Sequence, residues 1–206
     1  DPGSGSYNIT ANGALDAYVQ KLDINGDFVW ARSFVCDTIS NGWAIATDIS
    51  GNACLTGSFI GTVDLDPGAT DLLFTSNGSS SAYIVKLDAA GDLIWGKVNQ
   101  GLFTNVTLSI TTDILENVYT SGYFFGTVDL DPSAANFNLT SNGQADAFVQ
   151  KLDANGNFIW AFATGDSLQD LSFDVVTDGE DHVYSLGRFE GSVDLDPGSS
   201  ISNHTS

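Results

Sequence analysis

The chain has 206 residues, enough by length for one domain or two, and its 42% hydrophobic and 11% aromatic content can build a packed core, which excludes a disordered polymer. Only six Lys plus Arg stand against 26 Asp plus Glu, a net charge of −20, which excludes neutralising a row of nucleic-acid phosphates and disfavours anionic membrane surfaces. No run approaches the roughly 18 apolar residues of a spanning helix, and no charged-then-apolar leader opens the chain, so no membrane insertion is expected and the sequence reads as a mature or excised piece.

In chain order, residues 2–15 are rich in Gly, Ser and Asn and predict a surface loop. Ala17–Leu22 is aromatic and β-branched enough for a strand, Asp23-Ile24-Asn25-Gly26-Asp27 supplies an Asn-Gly turn, and Phe28–Phe34 reads as the returning strand. A loop over 36–42 leads to a second predicted hairpin, residues 43–48 and 53–65 around Ile49-Ser50-Gly51-Asn52, its last strand long or broken at Gly57 and Gly61. That strand ends in Val-Asp-Leu-Asp-Pro at 63–67, a string that returns at 128–132 and 193–197, and the chain opens on Asp1-Pro2. Asp1, Asp66, Asp131 and Asp196 therefore stand at one constant spacing, without an insertion anywhere between them.

The register extends well beyond that string. Lys21-Leu22-Asp23 returns at 86–88 and 151–153, Trp30 at Trp95 and Trp160, and Phe59 at Phe124 and Phe189. The organisation is therefore one array over 1–206, with units 1–65, 66–130 and 131–195 and the start of a fourth at 196–206. No apolar set recurs at three-and-four spacing over a dozen positions, so no helix is expected. In Ala82-Tyr83-Ile84-Val85-Lys86-Leu87 both alternating sets carry apolar side chains, which predicts a sheet covered on both faces. The fold class that follows is all-β: tandem 65-residue repeats forming four-stranded antiparallel β-propeller-type blades, with the excess length over common propeller repeats placed in surface loops at 67–81 and 132–145, each carrying one short apolar strand such as 137–139.

Taken together, Asp-Pro-Gly, Thr-Ser-Asn-Gly, Asp-Ala-Phe-Val-Gln-Lys-Leu-Asp at 146–153, the following Gly-Asn-Phe-Ile-Trp-Ala, and Gly-x-Val-Asp-Leu-Asp-Pro resemble the bacterial β-propeller repeat called the SBBP type, along essentially the whole chain. The resemblance implies large secreted or cell-surface bacterial proteins, not known as enzymes. An acidic, Lys-poor, Gly/Ser/Thr/Asn-rich composition fits the same place, salty or calcium-containing water outside the cell, where counterions screen self-repulsion. The chain begins with the loop and first hairpin of a unit and ends after a second hairpin. If a blade pairs the second hairpin of one copy with the first hairpin of the next, three units leave one blade split between the two ends. Propellers usually hold four to eight blades, so the expected partners are further repeats of a longer chain, or other copies of the protein added head to tail into a ring or filament.

Several residues carry candidate chemistry. Asp64 and Asp66, with Asp129/Asp131 and Asp194/Asp196, would stand about 6.6 Å apart on one strand face, from a rise of about 3.3 Å per residue. One reading has these pairs bind Ca²⁺ together with loop carbonyls. The other, which takes precedence, has Asp66 cap an Asx-Pro turn while Asp64 faces solvent or meets the recurring lysine. Asp23-x-Asn25-x-Asp27 lacks the sixth-place Gly and twelfth-place Glu of an EF-hand loop and reads as a hairpin turn. Gly165-Asp166-Ser167-Leu168 spells a hydrolase nucleophile motif, but its counterparts at 35–38 and 100–103 share nothing with it, and neither His182 nor His204 has an Asp three residues before it, so no catalytic residue is expected. Cys36 and Cys54 are either a disulfide or two separate thiols. Sequons at Asn8, Asn77, Asn105, Asn138 and Asn203 leave glycosylation open, and the tryptophans read as core more than as a sugar platform. The expected function is a non-enzymatic extracellular structural or adhesive repeat protein, with a binding module for a polysaccharide or protein as the alternative.

Overall fold

A computed structural model describes residues 5–198 and 202–206, all of them strand or connection, with no helix; the opening Asp1-Pro2 lies outside the described residues. The chain runs through β1 (Ala17–Leu22), β2 (Phe28–Phe34), β3 (Ile39–Thr47), β4 (Ala53–Ile60), β5 (Thr62–Asp64), β6 (Leu73–Thr75), β7 (Ser81–Leu87) and β8 (Leu93–Gly101). It continues with β9 (Asn105–Thr112), β10 (Val118–Asp129), β11 (Asn138–Leu152), β12 (Phe158–Thr164), β13 (Leu171–Thr177), β14 (Val183–Arg188), β15 (Ser192–Asp194) and β16 (Asn203–Thr205).

The turns explain the hairpins. Between β1 and β2 the Asp23 carboxylate Oδ1 accepts the backbone N–H of Asn25 at 2.8 Å and of Asp27 at 2.9 Å, and Gly26 supplies the positive φ (84°) the turn needs. The extra turn residue appears as a register shift at Lys21/Leu22, and the same device joins β7 to β8 and β11 to β12. In the β3–β4 turn Asp48 accepts the Asn52 N–H at 2.9 Å, and Asp113 and Asp178 repeat the arrangement in the two units that follow.

Pairing then crosses from one sequence unit to the next. β4 lies antiparallel to β7 with Ala53 opposite Leu87 and Phe59 opposite Ser81, so β3, β4, β7 and β8 form one four-stranded set. β10 pairs β11 from Val118 opposite Leu152 to Phe124 opposite Asp146, making β9, β10, β11 and β12 a second. A two-residue pairing of β8 with β10 stitches the sets together. β1–β2 and β13–β14 remain two-stranded.

These layers are held face to face by apolar side chains. Phe34, Leu55, Phe59, Tyr83 and Leu87 fill the space between the β1–β2 pair and the first set; Cys54, Ile84, Trp95, Ile110 and Val118 lie between the two sets; Tyr119, Val149 and Val175 join the second set to β13–β14. Every residue of β7 is buried, because Tyr83, Val85 and Leu87 face one layer and Ile84 the other.

The structure sharpens the sequence reading at two places. The short apolar strand expected within 67–81 is β6, and it pairs with β5, Val63 opposite Phe74, because the Phe74 side chain finds apolar cover on the same core as Val63 and Leu65. The second hairpin begins earlier than residue 43, at Ile39, and its last strand is broken at Gly61, where φ is 90°, as the sequence allows, but not at Gly57; β10 instead runs through Gly126 with a register shift.

Candidate interaction surface

Some repeated residues make matching contacts at the two inner joints. Tryptophan comes first: the Trp30 indole N–H donates to the Ala89 carbonyl at 3.1 Å and that of Trp95 to Ala154 at 3.0 Å, each ring resting on the next unit's turn. A Cβ at Gly91 or Gly156 would sit 3.0 Å from those rings, so glycine there serves both the turn and the contact. Arg32 adds hydrogen bonds to the Gly91 and Ala90 carbonyls at 2.9 and 3.0 Å.

The recurring lysine is the second element. Lys86, 2% exposed at its side chain, reaches the fully buried Asp48 carboxylate at 2.8 Å and Glu116 at 3.2 Å. Burial alone would lower the Lys86 pKa, but its hydrogen bonds to Asp48 and Glu116 carry it above the usual lysine value; burial would likewise raise Asp48, and Lys86 with Asn52 holds it below the ordinary carboxylate value. Lys151 stands 3.7 Å from Asp113 and over the Tyr119 ring. The lysine therefore meets the turn aspartate of the neighbouring hairpin, not Asp64 as one sequence reading had it.

Asp64 is occupied otherwise. Its Oδ1 accepts the N–H of Asp66 and of Leu72, both at 2.9 Å, which ends β5 at Asp64; the strand does not carry Asp66 alongside it. Asp129 holds Asp131 and Phe137, and Asp194 holds Asp196 and Ser202, in the same way. Asp66, Asp131 and Asp196 each cap the residue two further on, at 2.7–2.9 Å. The apolar partners Val63 and Leu65 are fully buried. Among the described residues no three His, Cys, Asp or Glu side chains converge as a metal-ligand set.

The other candidates are placed as follows. Ser167 lies in a loop whose Asp166 accepts the N–H groups of Leu168 and Ser192 at 2.8 and 2.9 Å, while His182 bonds Asp178 in the β13–β14 turn and His204 sits on β16. Cys36 and Cys54 are buried free thiols in different core clusters, and burial pushes Cys54 up to about 12. Asn105 is a buried residue whose amide oxygen accepts the Ala82 N–H at 2.8 Å, so this sequon is structural; Asn77 and Asn138 are exposed. Asp146 carries no sequence signal that would single it out. It is buried, with one carboxylate oxygen lacking a partner among the described residues, and is pushed to about 6 by burial and by the charges of Asp170 and Asp166.

At the two outer layers the joints lie open. Tyr18 of β1 is 66% exposed although its counterparts Tyr83 and Phe148 are buried, and Tyr184 of β14 is 57% exposed although Cys54 and Tyr119 are buried. A groove of about 290 Å³, lined by Phe148, Val149, Phe162, Leu171 and Leu186 among others, runs beside β14. A similar groove of about 380 Å³ runs between β1 and β3, but there Tyr83 from β7 enters it and donates its hydroxyl to the Asn41 carbonyl at 3.0 Å.

No protein-family model matches the chain. Over 198 residues it is 28% identical to an uncharacterized WD repeat-containing protein of Acanthamoeba polyphaga mimivirus; the aligned stretch covers 89% of this chain and 14% of that relative. An all-β chain of stacked antiparallel layers is consistent with a β-propeller-like repeat fold such as WD repeats form.

Proposed function

We propose that this chain is a non-enzymatic interaction scaffold built of β-propeller-type blades, one blade per repeat unit, each joining the second hairpin of one unit to the first hairpin of the next. The observation that carries the reading is the cross-unit pairing of β4 with β7, met again one unit later between β10 and β11 in the same register. A sheet so built leaves its sequence neighbours to cover it, and its open edges bind by strand addition.

The bacterial SBBP-type repeat is the family likeness that fits the motifs, and with the net charge of −20 it supports a secreted or cell-surface protein of structural or adhesive role. The reading of the repeated aspartates as turn caps is supported by their engagement with backbone amides, and Asp166, next to Ser167, is likewise engaged with the Leu168 and Ser192 amides. The test is hydrogen exchange with electron microscopy. Slow exchange of the β4 and β7 amides together with ordered polymers or large particles supports the scaffold, and free exchange at β4 and β7 refutes the blade.

The apolar groove beside β14 supports a second reading, a discrete module that holds a polysaccharide or protein at that face. Such a module stays as single particles and retains a partner on a glycan or protein array.

A further inference from the structure

Resting on the blade reading, we infer that the free edge of β14 is a docking site for β1 of a second copy of this chain, in one register. β14 stands one repeat unit after β10 and two after β4, and β1 stands one unit before β7 and two before β11. Carrying the two observed registers forward places Val183 opposite Leu22 and Phe189 opposite Asp16 of the second copy.

Three details at the two outer layers match, all in that one register. In charge, Asp178 occupies the place of Asp48 and Asp113, which hold Lys86 and Lys151, and Lys21 occupies the place of those lysines. Asp178 is in an exposed turn, bonded to His182 at 2.9 Å, and Lys21 bonds the Ala89 carbonyl at 2.8 Å, so both stay within reach of an incoming partner. In packing, Trp30 and Trp95 cover the turns at Gly91 and Gly156, while the turn at Gly26 has open space where a ring would sit and Ile24 beside it is fully exposed. Trp160, half-buried and with no indole hydrogen bond among the described residues, is the ring at the matching place. In shape, Tyr83 enters the groove beside Gly57 and bonds Asn41; Tyr18 of a second copy enters the groove beside Gly187 and bonds Leu171.

The contact buries the exposed Tyr18, Tyr184 and Leu186 and supplies main-chain partners along β14, which is how an open strand edge is stabilised. It is heterologous, so repetition closes a ring or extends a chain according to the rotation per copy.

Sedimentation equilibrium of the intact 206-residue chain tests this, with amide exchange at β4 and β7 read on the same samples. The wild type associates beyond its 21.7 kDa mass. Lys21→Asp and Asp178→Lys each weaken association at least tenfold, and an equimolar mixture of the two restores it, because each edge then meets an opposite charge. Tyr18→Lys, at a position exposed in the single chain, abolishes association with unchanged circular dichroism. A monomeric wild type with protected β4 and β7 amides overturns the docking and leaves the blade standing. Association that survives both charge variants and Tyr18→Lys overturns the register. Unprotected β4 and β7 amides sink the blade reading and this inference with it.

Discussion

Replacing Lys86 with methionine isolates a buried ion pair within the stacked sheets. The ammonium is 2% exposed and lies 2.8 Å from an Asp48 carboxylate that is fully buried, with Glu116 3.2 Å away on the adjoining layer. Methionine fills nearly the same volume, so packing loss is small, but Asp48 is left as a buried charge whose remaining partners are the amide groups of Asn52. Removing one member of a buried pair costs about 3–5 kcal/mol, because the surviving ion keeps its desolvation penalty and loses its compensation. At roughly 2–4 °C per kcal/mol for a chain of this size, the melting temperature falls by about 6–20 °C. Lys86→Met with Asp48→Asn removes the orphaned charge and keeps an acceptor for the Asn52 N–H, so the double variant recovers to within about 1–2 kcal/mol of the wild type. The pH dependence has a definite sign. Asp48 is held below its ordinary pKa in the folded protein, so its contribution is present above the unfolded value, near 4, and is lost as pH falls through the folded one. In Lys86→Met that carboxyl accepts a proton more readily, and the gap between variant and wild type narrows in acid. Urea melts at pH 7 and pH 4 read all three quantities. A single variant within about 1 kcal/mol of wild type, or single-variant losses that simply add in the double, refutes the argument.

Two further outcomes follow from the aspartates. Asp146 is pushed up to about 6 by burial and by Asp170 and Asp166, so the fold favours its protonated form and stability is lost as pH rises from about 4 through about 6; Asp146→Asn gains up to about 3 kcal/mol at pH 7.5 and nearly nothing at pH 4, and a pH-independent effect in thermal melts contradicts the cause given. Asp64→Ala strips the acceptor from the Asp66 and Leu72 amides and costs about 1–3 kcal/mol, whereas Asp64→Asn keeps that oxygen and costs less than about 1 kcal/mol; equal losses in the two, together with a saturable calcium heat in calorimetry, argue for a metal in place of the turn.

Much of this architecture is written in local chemistry. Asp23, Asn25 and Gly26 specify a turn with a bulge wherever they occur, and the two-faced apolar pattern at 82–87 requires cover on both sides; both features are found where the sequence puts them. The second aspartate of Val-Asp-Leu-Asp-Pro is legible as a turn cap for the same reason, since an Asx side chain bonds amides two residues away, whereas the first, expected to face solvent or meet the lysine, instead holds amides two and eight residues on. What the sequence left undecided lies between units. Nothing in Lys86 or Asp48 alone says that they meet, because that depends on β4 and β7 lying edge to edge; nor does a short apolar strand at 73–75 announce that it will pair with β5.

The repeating unit, its hairpins and its buried faces were thus set by the chain itself, through turn geometry and alternating polarity that act over a few residues. Which edge joins which, where the buried lysine finds its counter-charge, and which aromatic rings remain uncovered at the two outer layers were decided by the folded stack alone, because strand pairing across units is chosen by the burial of whole sheet faces and not by any short run of residues.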